Sequence, residues 1–554
     1  MEDPNGLGDV VMSTKKLDLP LNMYFSIRKR IWLLPAFKSL SSRTVLPLRL
    51  RRRAQKAKAF FSMAQQGPDS NRYGNKRILV ASSTLGNIDI SSLDICLGIR
   101  LQKQGASVGF LICEGSLAAC SLCERERFLN DGEFALKGPG HTCNYCSGFF
   151  RTYIHDHFEV LTYAHVGEAE RAIIDNWIWK FLNGCETSFH GVPISEHVRS
   201  GLIRFYGKVV EPSQVPTSLV RRFAEAACQT VLRVESILET YSPEVIVVNH
   251  GLYVPQGVIV ATAHAHGVRV VTWHKGYRRH TLLLSHGDTY HRQLIEEPNA
   301  TWENHVLSAA DRLWLRNYMT SRRTGTQDWV SFVHRGAESK SPVFSGDQGS
   351  PLVSVLTNVD WDAQAHFNAN TYTNMQSWLC DIGRCAVKLP GTRFVVRIHP
   401  AEVTGRRIAT TTSADVLRET ANRCSNLSII EADEPISTYQ LLEASDLVVV
   451  YATKTAVEAA YLGRPVLICG ESCLRGKCVG RDLQRGEDLP KVVQDMLENP
   501  TPPCQERAER YAFHLFRRRM IEWELLTRSE ANDGERAILD GIAIGTPFHA
   551  ATDY

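Results

Sequence analysis

The segment Asp446-Leu-Val-Val-Val-Tyr451-Ala-Thr453-Lys454-Thr455-Ala-Val-Glu458-Ala-Ala-Tyr-Leu-Gly463-Arg-Pro465 constrains the fold more than any other. Its apolar run has no polar alternation. As a strand it must be covered on both faces, which a parallel sheet flanked by helices provides. The run then stops at Thr, Lys and Thr, continues as a short helical pattern, and turns at Gly463 into another apolar run, Pro465–Cys469. Strand, helix, glycine, strand is the repeat of a doubly wound α/β sheet, in which ligands bind at the carboxyl ends of the strands.

The same repeat runs through most of the chain. Arg77–Ser83 reads as a buried strand with a turn at Thr84-Leu-Gly86-Asn87. A helix over 90–104 and a strand over Ser107–Cys113 follow. Residues 165–240 read mainly as helices, Thr217–Tyr241 being long and amphipathic. Glu244–Asn249 is a strand, Gln256–His266 a helix closed by Gly267, and Val268–Trp273 a strand. A second series has strands at Leu352–Thr357, Arg393–Ile398, Leu427–Glu431, Asp446–Tyr451 and Pro465–Cys469. Its helices fall at Thr373–Ala386, Ser437–Ala444 and Thr455–Leu462, with a long closing helix over Pro503–Leu526. The expectation is an α/β chain of two Rossmann-like domains. Residues 1–70 form a basic arm and 71–334 the first domain, interrupted by a cysteine-rich insertion at 113–150. A Gly/Ser/Pro-rich linker covers 335–351, the second domain 352–528, and a weakly ordered tail 529–554.

Net charge is +4, unevenly distributed. Lys15 to Lys58 holds 13 basic residues against Asp18 alone, leaving 50 basic and 58 acidic residues elsewhere. Arg49-Leu-Arg51-Arg52-Arg53 is interleaved with Trp32, Leu33, Leu34, Phe37, Leu46, Leu48, Phe60 and Phe61. Basic plus apolar in one stretch suits an anionic membrane surface, with nucleic acid the competing polyanion and a solvated helix packed on the body the plainer reading. No apolar run reaches the roughly 18–20 residues of a membrane-spanning helix. The start of the chain lacks a signal-peptide pattern, which points to a cytoplasmic protein, peripheral at the inner membrane face if the arm binds lipid.

Fifteen cysteines, an odd number, fit reduced thiols. Cys120-x-x-Cys123, nineteen residues, then Cys143-x-x-Cys146 has the spacing of a four-thiolate structural zinc site, with Cys113 and His141 as substitute ligands and an iron–sulfur cluster as the other use of such a set.

In Arg397-Ile398-His399-Pro400 the Arg and His are two apart, on one face of a strand end that Pro400 terminates. Arg offers a fork to a phosphate and His a donor. At the neighbouring strand end Thr453, Lys454, Thr455 and the following helix start could hold the same anion. Glu458 could accept from a ribose hydroxyl. Thr455 and Glu458 also have the spacing of a capping box, which needs no ligand. The loop Gly470–Lys477 could close over a nucleotide or be a plain surface loop.

These segments, together with Thr357-Asn358-Val-Asp-Trp361-Asp362, resemble the bacterial capsule and surface-polysaccharide group of GT-B type glycosyltransferases with a His-Pro motif. The group includes Kdo- and sialic-acid-type transferases that use CMP-sugars, and related polyol-phosphate polymerases. In it, the His-Pro histidine and the hydroxyls at the next strand end contact the donor phosphate, which implies those roles for His399, Thr453 and Thr455. Where the group often has paired Ser or Ser-Thr, this chain has Thr453-Lys454-Thr455. The resemblance also implies chemistry without a bound metal, the leaving-group charge being met by Arg397, His399, Lys454 and helix amides.

On the acceptor side, seven of the nineteen histidines fall between Asn249 and His291. Strand ends place Gly86, Asn87, Asn249, His250, His274 and Lys275 where an acceptor would bind. His250 and Asp288 are candidate general bases, with Asp89 behind them. The expectation is transfer of a sugar from a CMP-, UDP- or GDP-sugar to a hydroxyl of a glycan or lipid-linked acceptor. A polyol-phosphate transferase on the same fold is the alternative enzyme. A zinc-containing protein that grips nucleic acid or a partner is the alternative of another class.

Overall fold

A computed structural model describes residues 46–125, 128, 130–146, 148–163, 166–329, 349–359, 361, 371–404, 412–527 and 533–548. The arm before Leu46, most of the expected linker, Asp360, Asp362 and the last residues of the tail lie outside the described residues. The chain forms two compact units. The first takes residues up to Gly201, Pro212–Trp273 and Trp523–Thr546. The second takes Leu202–Glu211, His274–Glu522 and the residues from Pro547.

The first unit holds β1 (Arg77–Ala81), β2 (Ser107–Ile112), β3 (Glu159–Thr162), a small hairpin of β4 (Ser188–Phe189) and β5 (Val192–Pro193), then β6 (Val245–Asn249) and β7 (Arg269–Lys275). Parallel pairing gives the order β3-β2-β1-β6-β7. Ile78 lies opposite both Val108 and Val245, so the apolar runs of three strands stack in register and are buried. The helix Ile88–Lys103 makes the first crossover and the helix Thr217–Thr240 leads into β6.

The second unit holds β8 (Thr281–His286), β9 (Leu352–Leu356), β10 (Arg393–Arg397), β11 (Leu427–Ile430), β12 (Leu447–Val450), β13 (Val466–Ile468), β14 (Arg481–Asp482) and β15 (Ile521–Glu522). Its main sheet is parallel, ordered β11-β10-β9-β12-β13-β14. β15 pairs with β8 antiparallel, Ile521 opposite Leu282. In both units the first strand of the series lies inside the sheet and the order reverses beside it, between β1 and β6 and between β9 and β12. This is the Rossmann-like topology, with its switch point at that reversal.

Two expectations are corrected, and part of the basic arm follows the plainer of its readings. The closing helix over Pro503–Leu526 is broken: Gln505–Phe513 is α-helical, His514–Arg518 forms a π turn, and β15 follows. The π turn buries His514, Arg518 and Phe516, which a straight helix would space differently. The tail is not weakly ordered throughout, because Asp533–Ile544 is a helix of the first unit. Its Glu535 accepts from Arg100 Nε at 2.7 Å and its Asp540 from Arg72 Nε at 2.7 Å and the Tyr73 hydroxyl at 2.9 Å. These partners lie more than 400 residues away, out of reach of any local pattern. Finally, Leu46–Gln65 is a helix whose Ala57, Phe61 and Ala64, spaced i, i+4, i+7, are buried. The Phe61 ring sits 4.5 Å from that of Tyr153. Phe61 thus belongs to a protein core and is not available to a lipid surface.

Candidate functional site

The second unit's switch point brings together several of the expected donor residues. Thr357, just after β9, accepts from the His399 amide at 2.8 Å, and Asn358 Nδ2 donates to the Ala452 carbonyl at 3.4 Å. Side chains thereby lace together the ends of β9, β10 and β12. The imidazole of His399 is oriented by its own chain: Nδ1 accepts from the Ala401 amide at 3.1 Å. An accepting Nδ1 leaves the hydrogen on Nε2. Burial first, then the positive charges of Lys454 and Arg397, pushes the His399 pKa down to about 3. His399 is therefore a neutral hydrogen-bond donor at any ordinary pH.

Lys454 caps the start of the helix Thr455–Tyr461. Among the described residues its ammonium meets the ring of Tyr277, 4.9 Å from the centroid, and no carboxylate closes on it. Burial first, then repulsion from Arg322, pushes its pKa down to about 8, with Glu458 and Asp328 opposing. The hydroxyls of Thr453 and Thr455 lie 3.3 Å apart. A cation, a neutral N–H and two hydroxyls at one switch point form an environment for a phosphate.

Two expected donor residues are otherwise engaged. Arg397 is 4% exposed, and its Nη1 and Nη2 donate to the carbonyls of Glu431 and Glu434. The turn after β11 presents those carbonyls to the end of β10, so the guanidinium fixes a turn and does not fork a phosphate. Glu458 is 2% exposed, 2.8 Å from Arg322 Nη2 and bonded by the Tyr439 hydroxyl. A ribose would have to displace a buried ion pair to reach it. The capping box is also absent: Lys454, not Thr455, is the N-cap, and it makes no side-chain cap bond. The 470–477 loop is a packed turn. Arg475 Nη2 donates to the Leu483 carbonyl at 2.8 Å, and Lys477, 2% exposed, donates to the carbonyls of Ile295 and Glu297. Sequence reading missed Tyr277, Arg322, Asp328 and Tyr439, because packing alone brings their segments to Lys454.

The other candidates are spread over both units. In the first, Gly86 and Asn87 end the turn after β1, Asn87 serving as N-cap, and Asn249 Nδ2 donates to the Trp273 carbonyl at 3.0 Å. His250 has φ +70°, with Gly251 at +82° beside it, and its ring lies 5.1 Å from that of Tyr253. Asp89 falls in the first turn of the helix Ile88–Lys103. The same helix buries Asp94, which sequence reading passed over. It accepts from the Ser82 hydroxyl at 2.7 Å and Trp273 Nε1 at 2.8 Å, and burial pushes its pKa up to about 7. In the second unit, His274 Nδ1 meets the Lys275 carbonyl at 2.8 Å, and Lys275 Nζ lies over the Trp329 ring at 5.3 Å. Asp288 accepts from the Thr289 amide and pairs with Arg292 at 3.7 Å.

The zinc expectation at Cys120, Cys123, Cys143 and Cys146 is not supported by the arrangement of the described residues. Among the described residues, no group of three or more His, Cys, Asp or Glu is arranged to hold a metal ion. Cys120 and Cys123 sulfurs lie 3.9 Å apart. The backbone also serves two neighbouring sulfurs: Cys146 takes the Gly86 amide, and Cys113 those of Gly115, Ser116 and Leu117. Burial pushes Cys113 up to about 11, against backbone hydrogen bonds that lower it, and Cys143 up to about 12. The His141 side chain lies outside the described residues.

No family model matches this chain, and no curated protein matches it. Among solved structures it is similar to a beta Kdo 2,4 transferase of Thermosulfurimonas dismutans, at 13% identity and TM-score 0.32, covering 49% of this chain and 79% of that one. It is similar to MurG of Acinetobacter baumannii at 12% identity and TM-score 0.28, covering 84% of this chain and 99% of that one. It is also similar to a sucrose-phosphate synthase from Thermosynechococcus elongatus, at 12% identity and TM-score 0.31, covering 82% and 97%.

Proposed function

We propose that this chain is a GT-B type glycosyltransferase of surface-polysaccharide synthesis, moving a sugar from a nucleotide-activated donor to a glycan hydroxyl. The observation that carries this reading is the ammonium of Lys454, lowered in pKa by its surroundings and without a closing carboxylate among the described residues, beside the neutral donor His399. An ammonium with no carboxylate closing on it suits an anion, and the switch point of a Rossmann-like sheet is where nucleotide phosphates sit.

In the proposed reaction the bond between sugar and phosphate breaks and the phosphate oxygen gains charge. His399 Nε2–H and the Lys454 ammonium would stabilise that charge, and the hydroxyls of Thr453 and Thr455 would orient the phosphate. No proton need leave His399, whose low pKa keeps it a donor throughout. The acceptor hydroxyl must lose a proton, and His250 and Asp288 are the proposed bases. The basic stretch 15–58 would draw the enzyme to an anionic membrane surface carrying the acceptor.

The test is a thermal-shift panel of CMP, UDP, GDP and their sugars. A rise in midpoint with one nucleotide, lost in Lys454→Ala and in His399→Ala, supports the reading and names the donor class. Equal shifts in wild type and both variants would place the nucleotide elsewhere. No shift with any nucleotide in folded protein overturns the reading.

A further inference from the structure

Glu458 and Arg322 lie beside the phosphate site, and neither is placed to touch a donor. Arg322, 6% exposed at the end of the helix Ala309–Arg322, is held between two carboxylates: Asp328 at 2.9 Å and Glu458 at 2.8 Å. The Tyr318 hydroxyl bonds Asp328 at 2.9 Å and receives from Arg322 at 3.2 Å, while the Tyr439 hydroxyl bonds Glu458. Glu458 is four residues after Lys454, so both project from the same face of one helix start. The charges here are two cations, Arg322 and Lys454, against two carboxylates, Asp328 and Glu458. Arg322 bonds both carboxylates. Lys454 bonds neither.

That imbalance has a chemical consequence. Had Glu458 closed on Lys454, the ammonium would be neutralised and a phosphate would have to compete for it. With Glu458 turned to Arg322, Lys454 feels both carboxylates only at a distance. We propose that Glu458 and Arg322 are positioning residues for Lys454, a pair of opposite charges that keeps its ammonium charged yet uncommitted for the donor phosphate. This rests on the donor site proposed above and reassigns Glu458 from a ribose contact to a group acting through the lysine. The charged and titratable groups that act on Lys454 are Arg322, which repels it, Glu458, Asp328 and Cys473, which favour its charged form, and neutral His399, which itself feels the lysine's charge. Tyr277 supplies the ring face.

The experiment is the pH dependence of CMP, UDP and GDP binding, each by calorimetry, in wild type, Glu458→Gln, Asp328→Asn and Arg322→Lys. Each acid-to-amide variant leaves Arg322 one carboxylate partner, so the fold is kept. Affinity should fall as pH rises through the lysine's titration. Removing Glu458 should move that fall to lower pH by about one unit, with Asp328 giving a smaller shift in the same direction and Arg322→Lys little change. A merely structural pair would weaken binding equally at all pH values without moving the fall, and that result overturns the proposal. A second readout needs no ligand: the NMR titration of 13C-dimethylated Lys454, its signal identified by its absence in Lys454→Arg. If no nucleotide binds but the Lys454 titration moves down in Glu458→Gln, the positioning stands and the donor reading fails. An unmoved titration sinks the positioning even where nucleotide binds.

Discussion

The two units share a strand order and differ in what their strand ends do with polar groups. At the first unit's switch point the polar side chains bond one another and the backbone. Ser82 and Trp273 close on Asp94, Asn249 on the Trp273 carbonyl, and Gln256 Nε2 on the Thr84 and Ser121 hydroxyls at 3.4 and 3.3 Å. At the second unit's switch point the carboxylates are drawn to Arg322, and among the described residues a lysine remains without one. The same topology can therefore end in polar groups bonded mostly to one another, Gln256 Oε1 excepted, or in a buried cation with no carboxylate closing on it among the described residues. For the proposed donor site, the second kind is a stronger argument than the fold.

The largest effect should come from breaking the second unit's network. Arg322→Met leaves Asp328 and Glu458 buried without their cation, a loss of about 3–5 kcal/mol by the behaviour of broken buried pairs. The matching change in the first unit, Arg100→Met, strands Glu535 alone, and Glu535 keeps the Trp523 indole N–H at 3.0 Å. Thermal melting should show a larger drop for Arg322→Met than for Arg100→Met. Equal drops would mean that the second carboxylate adds nothing to the Arg322 cluster.

Next in size is the ligand side of the comparison. Lys454→Ala removes one charge-assisted contact, worth about 1.5–3 kcal/mol, so nucleotide affinity should fall on the order of 10- to 100-fold. His250→Ala in the first unit should leave nucleotide affinity unchanged and lower turnover instead. Calorimetry on both variants separates the roles. A nucleotide affinity lost in His250→Ala but kept in Lys454→Ala would exchange the two units' assignments. Because charge on Lys454 is needed, wild-type affinity should also weaken as pH rises through about 8.

How much of this was legible in the sequence depends on how far apart the partners lie. The runs that became β1, β6, β9, β10 and β12 are readable because short, mostly apolar runs rich in Val, Ile and Leu fit a strand covered on both faces. His399, Thr453 and Lys454 were readable as strand-end residues for the same reason. Arg397 and Glu458 were read as ligand contacts because their residue type fits. Only the structure shows that Glu431 and Glu434 present carbonyls to the first and that Arg322, 136 residues upstream, captures the second. The cysteine spacing matched a zinc site. Spacing fixes which sulfurs could meet, but not whether four of them converge. The helix Asp533–Ile544 was invisible for want of its distant arginine partners.

The smallest effect concerns Asp94, whose burial sets the first unit's pH response. Its folded-state pKa, about 7, is raised above the ordinary 3.8 by desolvation, against hydrogen bonds from Ser82 and Trp273 that favour the ionised form. A raised acid binds more protons folded than unfolded. Its contribution is therefore fully present below about pH 4 and is lost as pH rises toward 7. Between pH 5 and 7 that loss is about 2 kcal/mol or less, an order-of-magnitude figure from the linkage relation. Asp94→Asn cannot ionise, so its melting temperature should change less over that interval than the wild type's. The Ser82 and Trp273 contacts should persist in part, since the amide oxygen accepts as the carboxylate did. The second unit's lysine runs the other way, because a Lys454 pKa lowered to about 8 makes stability rise with pH between about 8 and 10.5. Melting curves of wild type, Asp94→Asn and Lys454→Met across pH 5–10 thus assign each slope to one unit. An Asp94→Asn protein that keeps the wild-type slope between pH 5 and 7 would show that this carboxyl is ionised and fully satisfied, which makes the first unit's network even more self-contained than its distances indicate.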